Sequence, residues 1–215
     1  AQTTVRRALL TLESDLPPDP ELYVEAARHT MTLLDLELAE RFAAAAGSAE
    51  ATEILAVNRF LAGDGLGAEH YLRTLCDRAD VDRHRWVSLR AANLIWMLGR
   101  PGEAADVLAA LAGPDETDAQ RATRYSVEAC VDAIFARCAS AEEKARFALE
   151  SDELSDLNAM LAAVALTMAC GALGHAADIT PVGRAALDRA TNSYEASHMR
   201  FWFAGVYARA CRLTG

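Results

Sequence analysis

The chain has 215 residues, of which 52% are hydrophobic and 24% charged, a balance that excludes an intrinsically disordered protein. Its formal net charge of −10 at pH 7 argues against direct binding to DNA or RNA, which requires a positive surface. Alanine leads the apolar residues and β-branched residues are scattered, so the composition favours helices over strands.

The cysteines and the N-terminus predict a reduced, cytoplasmic protein. The cysteines are odd in number, widely spaced and without a CxxC pair: Cys76, Cys130, Cys138, Cys170 and Cys211. Residues 1–14 lack the apolar run of a secretory signal. The apolar stretch Met160–Leu173 is shorter than the roughly 20 residues of a membrane span, so we expect a buried core helix there. The missing initiator Met and the helical pattern near Gly215 predict a fragment of a larger protein.

Helical spacing of apolar residues predicts a helix at nearly every position along the chain. A leading helix over Thr4–Asp15 ends where Leu16-Pro17-Pro18-Asp19-Pro20 breaks the pattern. Five helical hairpins follow: Glu21–Ala46, Ala49–Cys76, Arg83–Ala112, Glu116–Glu150 and Glu153 to about Ala190. A trailing helix covers Ser197–Leu213. We predict one domain over residues 1–215, with a leading segment (1–16), a hairpin array (21–190) and a trailing helix (197–213).

Turn signals recur about every 36 residues, which is typical of stacked helical hairpins. They are Gly63-Asp64, Gly99-Arg100-Pro101, Cys138-Ala139-Ser140 and Gly174-His175. We also expect Phe60, Trp96 and Phe135 to be equivalent, three residues before their turns. The predicted fold is an all-α, right-handed superhelix of tetratricopeptide-like (TPR-like) hairpins.

A second repeated pattern lies in the predicted second helix of two hairpins. Ala68, Leu72 and Leu75 align with Ala104, Leu108 and Leu111. A small residue lets two helices approach closely while the leucines fill the space beyond it, so the pattern predicts buried packing positions.

Three segments resemble the helical region of large LuxR-type transcription regulators with a MalT-like layout. They are Asp35–Ala43, Leu61–Asp64 followed by Ala68-Glu69, and Met97–Ala104. The resemblance implies a nucleotide-binding domain of the STAND class before this segment and a DNA-binding helix-turn-helix after it. One lysine against twenty arginines suits a high-GC actinobacterial source, as that family implies. The chain itself has neither a GxxxxGK[ST] phosphate loop nor a basic helix-turn-helix, so we assign it no nucleotide and no DNA contact.

One pair of carboxylates has spacing suited to acid–base chemistry. Glu128 and Asp132 are one helical turn apart, with Tyr125 and Arg121 on the same stripe. The alternative is a solvated or concave face of a repeat helix, and we favour it because charged helix stripes are usually solvated. We therefore predict no catalytic residue and no enzyme activity.

Metal and cofactor sites are not predicted. The five histidines show no HxxxH or HExxH spacing, and Cys130 and Cys138 are about 12 Å apart in helix rise. A zinc site would have to be assembled from distant segments of the chain.

Three polar residues lie among large apolar neighbours on predicted first helices: Asn58, Arg90 and Asn93. Buried amides need hydrogen-bond partners, so these side chains either lock neighbouring repeats together or point into a concave ligand groove. We favour the locking role. The candidate ligand contacts on the concave face are Asn58, Arg90, Asn93, Trp96, Tyr125, Glu128 and Asp132.

Aromatic residues are concentrated near the C-terminus: Tyr194, Phe201, Trp202, Phe203 and Tyr207. If no further hairpin covers them, they predict a homodimer or a lost neighbouring domain; the alternative is ordinary core packing.

The expected function is a non-catalytic sensing and protein-interaction segment of a transcription regulator. It binds a small effector or a protein partner and relays this to the regulator's own nucleotide-binding and helix-turn-helix domains, with no direct nucleic-acid or membrane contact. The alternative is a stand-alone TPR-like scaffold or adaptor that binds peptides. A remote third reading is a helical enzyme that uses Glu128 and Asp132.

Overall fold

The computed structural model describes residues 2–193, 196 and 199–215, which fold into helices with no strand among them. The all-α prediction is therefore confirmed. The helices of the first half are α1 (Gln2–Leu12), α2 (Pro20–Thr32), α3 (Leu36–Ala46), α4 (Ala49–Leu61), α5 (Gly65–Cys76) and α6 (Arg83–Trp96). Those of the second half are α7 (Pro101–Ala109), α8 (Asp118–Ile134), α9 (Cys138–Leu149), α10 (Asp156–Leu173), α11 (Ala176–Asn192) and α12 (Arg200–Thr214).

The chain divides into two compact units, Ala1–Gly99 with α1–α6 and Arg100–Gly215 with α7–α12. The sequence shows no domain boundary at this point. The division falls inside the third predicted hairpin, so that α6 belongs to the first unit and α7 to the second.

Within each unit, consecutive helices pack as the predicted hairpins. In the first unit α2 packs against α3 and α4 against α5; in the second α8 packs against α9 and α10 against α11. Helices α8 and α10 begin two and three residues later than predicted, because N-capping residues fix where each helix begins. Thr117 and Gln120 form a reciprocal capping box before α8, and Ser155 accepts a hydrogen bond from the Asn158 amide before α10.

Hairpin turns within the units share one geometry, in which a residue with positive φ follows the first helix. These residues are Leu34, Gly63, Ala136 and Gly174. In each turn the next backbone N–H donates to a carbonyl five residues earlier, the Schellman closure of a helix. The pairs are Asp35–Thr30, Asp64–Arg59, Arg137–Asp132 and His175–Cys170.

The turn of the fourth predicted hairpin, Glu116–Glu150, corrects the predicted repeat. It lies at Phe135-Ala136-Arg137, whereas Cys138-Ala139-Ser140, the predicted turn, begins α9. Ala136 adopts positive φ without a glycine to mark it in the sequence. The predicted equivalence of Phe135 with Phe60 was consequently wrong: Phe60 is 7% exposed and Phe135 46%.

The repeated second-helix positions are buried in both units, as predicted. Ala68, Leu72 and Leu75 on α5 are each 0% exposed. On α7 and just after it, Ala104, Leu108 and Leu111 are at most 7% exposed.

Helix α10 forms the centre of the second unit and contacts α8, α9, α11 and α12. Among the described residues, this helix has the length and apolar composition to cross a membrane, yet 72% of it is buried inside the protein. Its burial agrees with the prediction of a core helix.

Candidate functional site

Two buried asparagines link successive hairpins in the first unit. Asn58 on α4 donates its side-chain amide to the carbonyl of Leu36, the first residue of α3, at 3.0 Å. Asn93 on α6 donates in the same way to the carbonyl of Gly65, the first residue of α5, at 2.9 Å. Both asparagines are at most 1% exposed. These contacts match the locking role rather than a groove that a ligand could reach.

Ion pairs accompany these locks across the same helix pairs. Arg90 on α6 contacts Oε1 of Glu69 on α5, with Nη2 at 2.7 Å and Nε at 2.8 Å. Arg59 on α4 binds both Glu40 on α3 and Asp64 in the following turn. Trp96, which completes the first-unit candidates, is half-buried at the end of α6.

The second-unit candidates belong to a charged cluster along α8 and α9. At its centre, Arg124 is 7% exposed and forms a two-pronged pair with Glu116, at 2.7 Å from Nε and 2.6 Å from Nη2. Its Nη1 contacts Oε1 of Glu128 at 2.5 Å. Hydrogen bonds from Arg124 to Glu116 raise the guanidinium pKa further above its ordinary value, although burial opposes this. Arg124 therefore stays charged.

Lys144, the single lysine of the chain, joins the two candidate carboxylates. Its Nζ lies 2.9 Å from Oε2 of Glu128 and 2.8 Å from Oδ2 of Asp132. Asp132 also accepts hydrogen bonds from the Ser140 hydroxyl at 2.7 Å and from Arg137 Nε at 2.8 Å. At 4% exposure, Asp132 does not lie on a solvated face.

The electrostatics of this cluster keep Asp132 and Lys144 ionised. Burial by itself would raise the pKa of Asp132, but hydrogen bonds from Lys144, Ser140 and Arg137 outweigh it and lower the pKa below the ordinary value. Burial would likewise lower the pKa of Lys144, and its bonds to Asp132 and Glu128 raise it instead. A general base needs a carboxylate that is free to accept a proton from a substrate. Both carboxylates here are instead paired with the Lys144 ammonium group.

Tyr125 adds a partly exposed aromatic ring beside this cluster. Its half-buried ring meets Phe147 edge-on, with ring centroids 5.4 Å apart. Arg124 lies 4.8 Å from the centre of the Tyr125 ring, and Arg121 lies 5.8 Å from that of Phe147. The surface of α8 and α9 thus offers two aromatic rings bordered by cations, a chemistry suited to contact with another molecule.

Sequence reasoning identified the α8 carboxylates but not their partners. Glu128 and Asp132 share a face because they are four residues apart. Lys144 reaches them from the next helix, and Glu116 lies in the loop before α8, so no short spacing marks either residue. The lone lysine in an arginine-rich chain was the one available signal.

A set of metal-ligating side chains also comes together in the second unit. One ligand atom from each of Glu142, Cys170, His175 and Asp178 lies within 4.8 Å of the others. Cys170, His175 and Asp178 lie within nine residues across the α10–α11 turn, and Glu142 reaches them from α9. Their spacing is neither HxxxH nor HExxH, the two patterns that the sequence analysis considered.

The C-terminal aromatic residues divide between core and surface. Phe203 is fully buried and stacks on Tyr207, with centroids 6.4 Å apart, whereas Phe201 is 77% exposed. Trp202 is 39% exposed, and Tyr194 lies outside the described residues. Ordinary packing therefore accounts for part of the aromatic cluster, and the exposed rings lie on α12.

Comparison of the chain with protein-family models, with curated proteins and with solved structures finds no match.

Proposed function

We propose that this chain is a non-catalytic sensing and interaction segment, built as a right-handed TPR-like stack of helical hairpins. The observation that carries the proposal is the repeated lock in which Asn58 and Asn93 bond to the first residue of an earlier second helix. Such nearest-neighbour contacts are what hold repeat arrays together.

The use of the charged residues supports an interaction role. Glu128 and Asp132 are both paired with Lys144 inside the α8–α9 cluster, which suits a rigid scaffold better than proton transfer. The half-buried rings of Tyr125 and Phe147 supply the contact surface in this proposal.

The resemblance to LuxR-type regulators supplies the wider setting of the proposal. An effector or a protein partner contacts this cytoplasmic segment, and the signal passes to a nucleotide-binding domain and a helix-turn-helix outside the chain. Phe201 on α12, at 77% exposure, supports a contact of that helix with a neighbouring domain or with a second copy.

A second candidate, a stand-alone adaptor that binds peptides, is favoured by an open groove along α5. Leu66, Glu69, His70, Arg73, Thr74 and Asp77 line it. Leu66 is 69% exposed there, next to charged side chains that suit a polar peptide.

The test compares two tyrosine variants in the protein encoded by the complete reading frame, with a transcriptional reporter as readout. Tyr125→Ala should change the effector response by at least about fivefold, the lower range of measured allosteric coupling. Tyr71→Ala, on the half-buried face of α5, is the matched control for the regulator reading. An unchanged effector response in a folded Tyr125→Ala protein would contradict the proposal that the α8–α9 surface contacts the effector or partner.

A further inference from the structure

Four side chains with the chemistry of metal ligands meet at one end of the α9, α10 and α11 helices. They are Glu142 on α9, Cys170 on α10, His175 before α11 and Asp178 in its first turn. Their ligand atoms all lie within 4.8 Å of one another. None of these residues belongs to the α8–α9 charged cluster.

Backbone geometry holds three of the four residues in place. Gly174, with φ of 78°, closes α10, and the amide of His175 donates to the Cys170 carbonyl at 2.9 Å. The amide of Asp178 then donates to the His175 carbonyl at 3.2 Å. The turn thus places the thiol, the imidazole and one carboxylate side by side, and Glu142 completes the set, with Oε2 3.1 Å from His175 Nδ1.

A cationic side chain already bridges these carboxylates. Nη2 of Arg146 lies 2.7 Å from Oε1 of Glu142 and 2.7 Å from Oδ2 of Asp178. The Arg146 side chain is 42% exposed, so it can turn into solvent without crossing the core. The guanidinium shows that this position attracts a positive charge.

We propose that Glu142, Cys170, His175 and Asp178 form a binding site for a divalent cation of the zinc type, which takes the place of the Arg146 guanidinium. One sulfur, one nitrogen and two oxygen donors suit a borderline-soft ion that accepts tetrahedral geometry. Donor atoms around zinc are about 3.3–3.8 Å apart, so the set closes by about 1 Å on binding.

Binding changes the protonation of the sulfur. Burial, with a contribution from the charge of Glu142, raises the pKa of Cys170 to about 11, so the unbound site holds a thiol. On coordination the S–H bond breaks, the sulfur donates its electron pair to the cation, and one proton passes to solvent.

The alternative is a structural ion-pair network in which Arg146 is the permanent partner of Glu142 and Asp178. The two readings differ in what removal of Arg146 does. Under the proposal Arg146→Ala removes a competing cation and tightens zinc binding; in an ion-pair network the same change leaves zinc unbound.

The experiment titrates the full chain, stripped of metal by a chelator and kept reduced, with Zn²⁺ against a chromogenic chelator. We expect one Zn²⁺ per chain with a Kd of about 1 µM or tighter, together with a rise in Tm. His175→Gln and Asp178→Asn should each weaken binding at least about tenfold, and Arg146→Ala should strengthen it.

Co²⁺ provides a separate readout of the sulfur ligand. A sulfur-to-cobalt charge-transfer band should appear with the wild-type chain and be absent from Cys170→Ser, while Cys138→Ser retains it as the matched control. If Cys170→Ser fails to fold, the exposed His175 decides the question through His175→Gln.

Three results would overturn the proposal. They are the absence of stoichiometric zinc binding by the wild-type chain, binding that is unchanged in folded His175→Gln and Asp178→Asn, and an Arg146→Ala chain that binds no zinc.

Discussion

Asn93 Nδ2 lies 2.9 Å from the carbonyl oxygen of Gly65, 28 residues earlier in the chain, and joins α6 to the start of α5. The side chain is fully buried. The bond therefore ties the first residue of α5 to a side chain of the following hairpin.

Asn93→Ala should lower the free energy of unfolding by about 1–3 kcal/mol, because it removes a buried hydrogen bond and leaves space behind. Chemical denaturation and Tm measure the change. Asn192→Ala is the matched control, since the amide of Asn192 is exposed and donates to the Asp188 carbonyl within its own helix. Equal stability of Asn93→Ala and the wild type would contradict the lock.

Gly65, which accepts this hydrogen bond, is also packed too closely to tolerate a larger side chain. A Cβ atom at this position would lie 2.6 Å from Cβ of Met97 and 3.0 Å from Cδ2 of Leu98. Gly65→Ala should therefore destabilise the chain by about 1–3 kcal/mol, despite the better helix propensity of alanine.

Gly102→Ala is the control for the glycine substitution, since nothing lies within 4 Å of a Cβ built there. It should be neutral or stabilise by up to about 1 kcal/mol. Thermal unfolding compares both variants. A Gly65→Ala protein as stable as Gly102→Ala would mean that α5 and α6 do not approach this closely.

The α5–α6 ion pair should show measurable coupling. The side chains of Arg90 and Glu69 are 21% and 15% exposed, so water screens them little. A double-mutant cycle with Arg90→Met and Glu69→Gln should give a coupling energy of about 1–2 kcal/mol.

The comparison pair for this cycle is Arg189 and Asp156, whose side chains are 45% and 42% exposed. Solvent screens this pair, and its coupling should be smaller. Urea denaturation of both cycles gives the two energies. Equal coupling in the two pairs would show that burial adds nothing to the Arg90 contact.

The lowered pKa of Asp132 predicts a particular dependence of stability on pH. The folded chain holds this carboxylate ionised below the ordinary value of 3.8. Its stabilisation is therefore fully present above that pH and is lost as the pH falls through the lowered pKa. Asp132→Asn should cost about 1–3 kcal/mol at pH 7, with the difference from wild type shrinking below about pH 4.

Urea denaturation between pH 7 and pH 3 measures this difference, with Asp188→Asn on the exposed surface of α11 as control. A stability difference for Asp132→Asn that stays constant across the range would place its cause outside the carboxylate charge.

The helices were predictable because their apolar periodicity and caps are local properties of the chain. The turn at Ala136 was misplaced because positive φ in a non-glycine residue has no reliable sequence signal. The partners of Asp132 and the set around Cys170 escaped prediction for a different reason. Lys144 reaches Asp132 from α9, and Glu142 reaches the set around Cys170 from the same helix, so only helix packing defines those distances.

Reading the coding sequence on both sides of this segment in the intact open reading frame tests the proposed role most directly. We predict a nucleotide-binding domain with a phosphate loop before Ala1 and a basic helix-turn-helix after Gly215. Stop codons close to both ends would contradict the regulator and leave a stand-alone repeat adaptor.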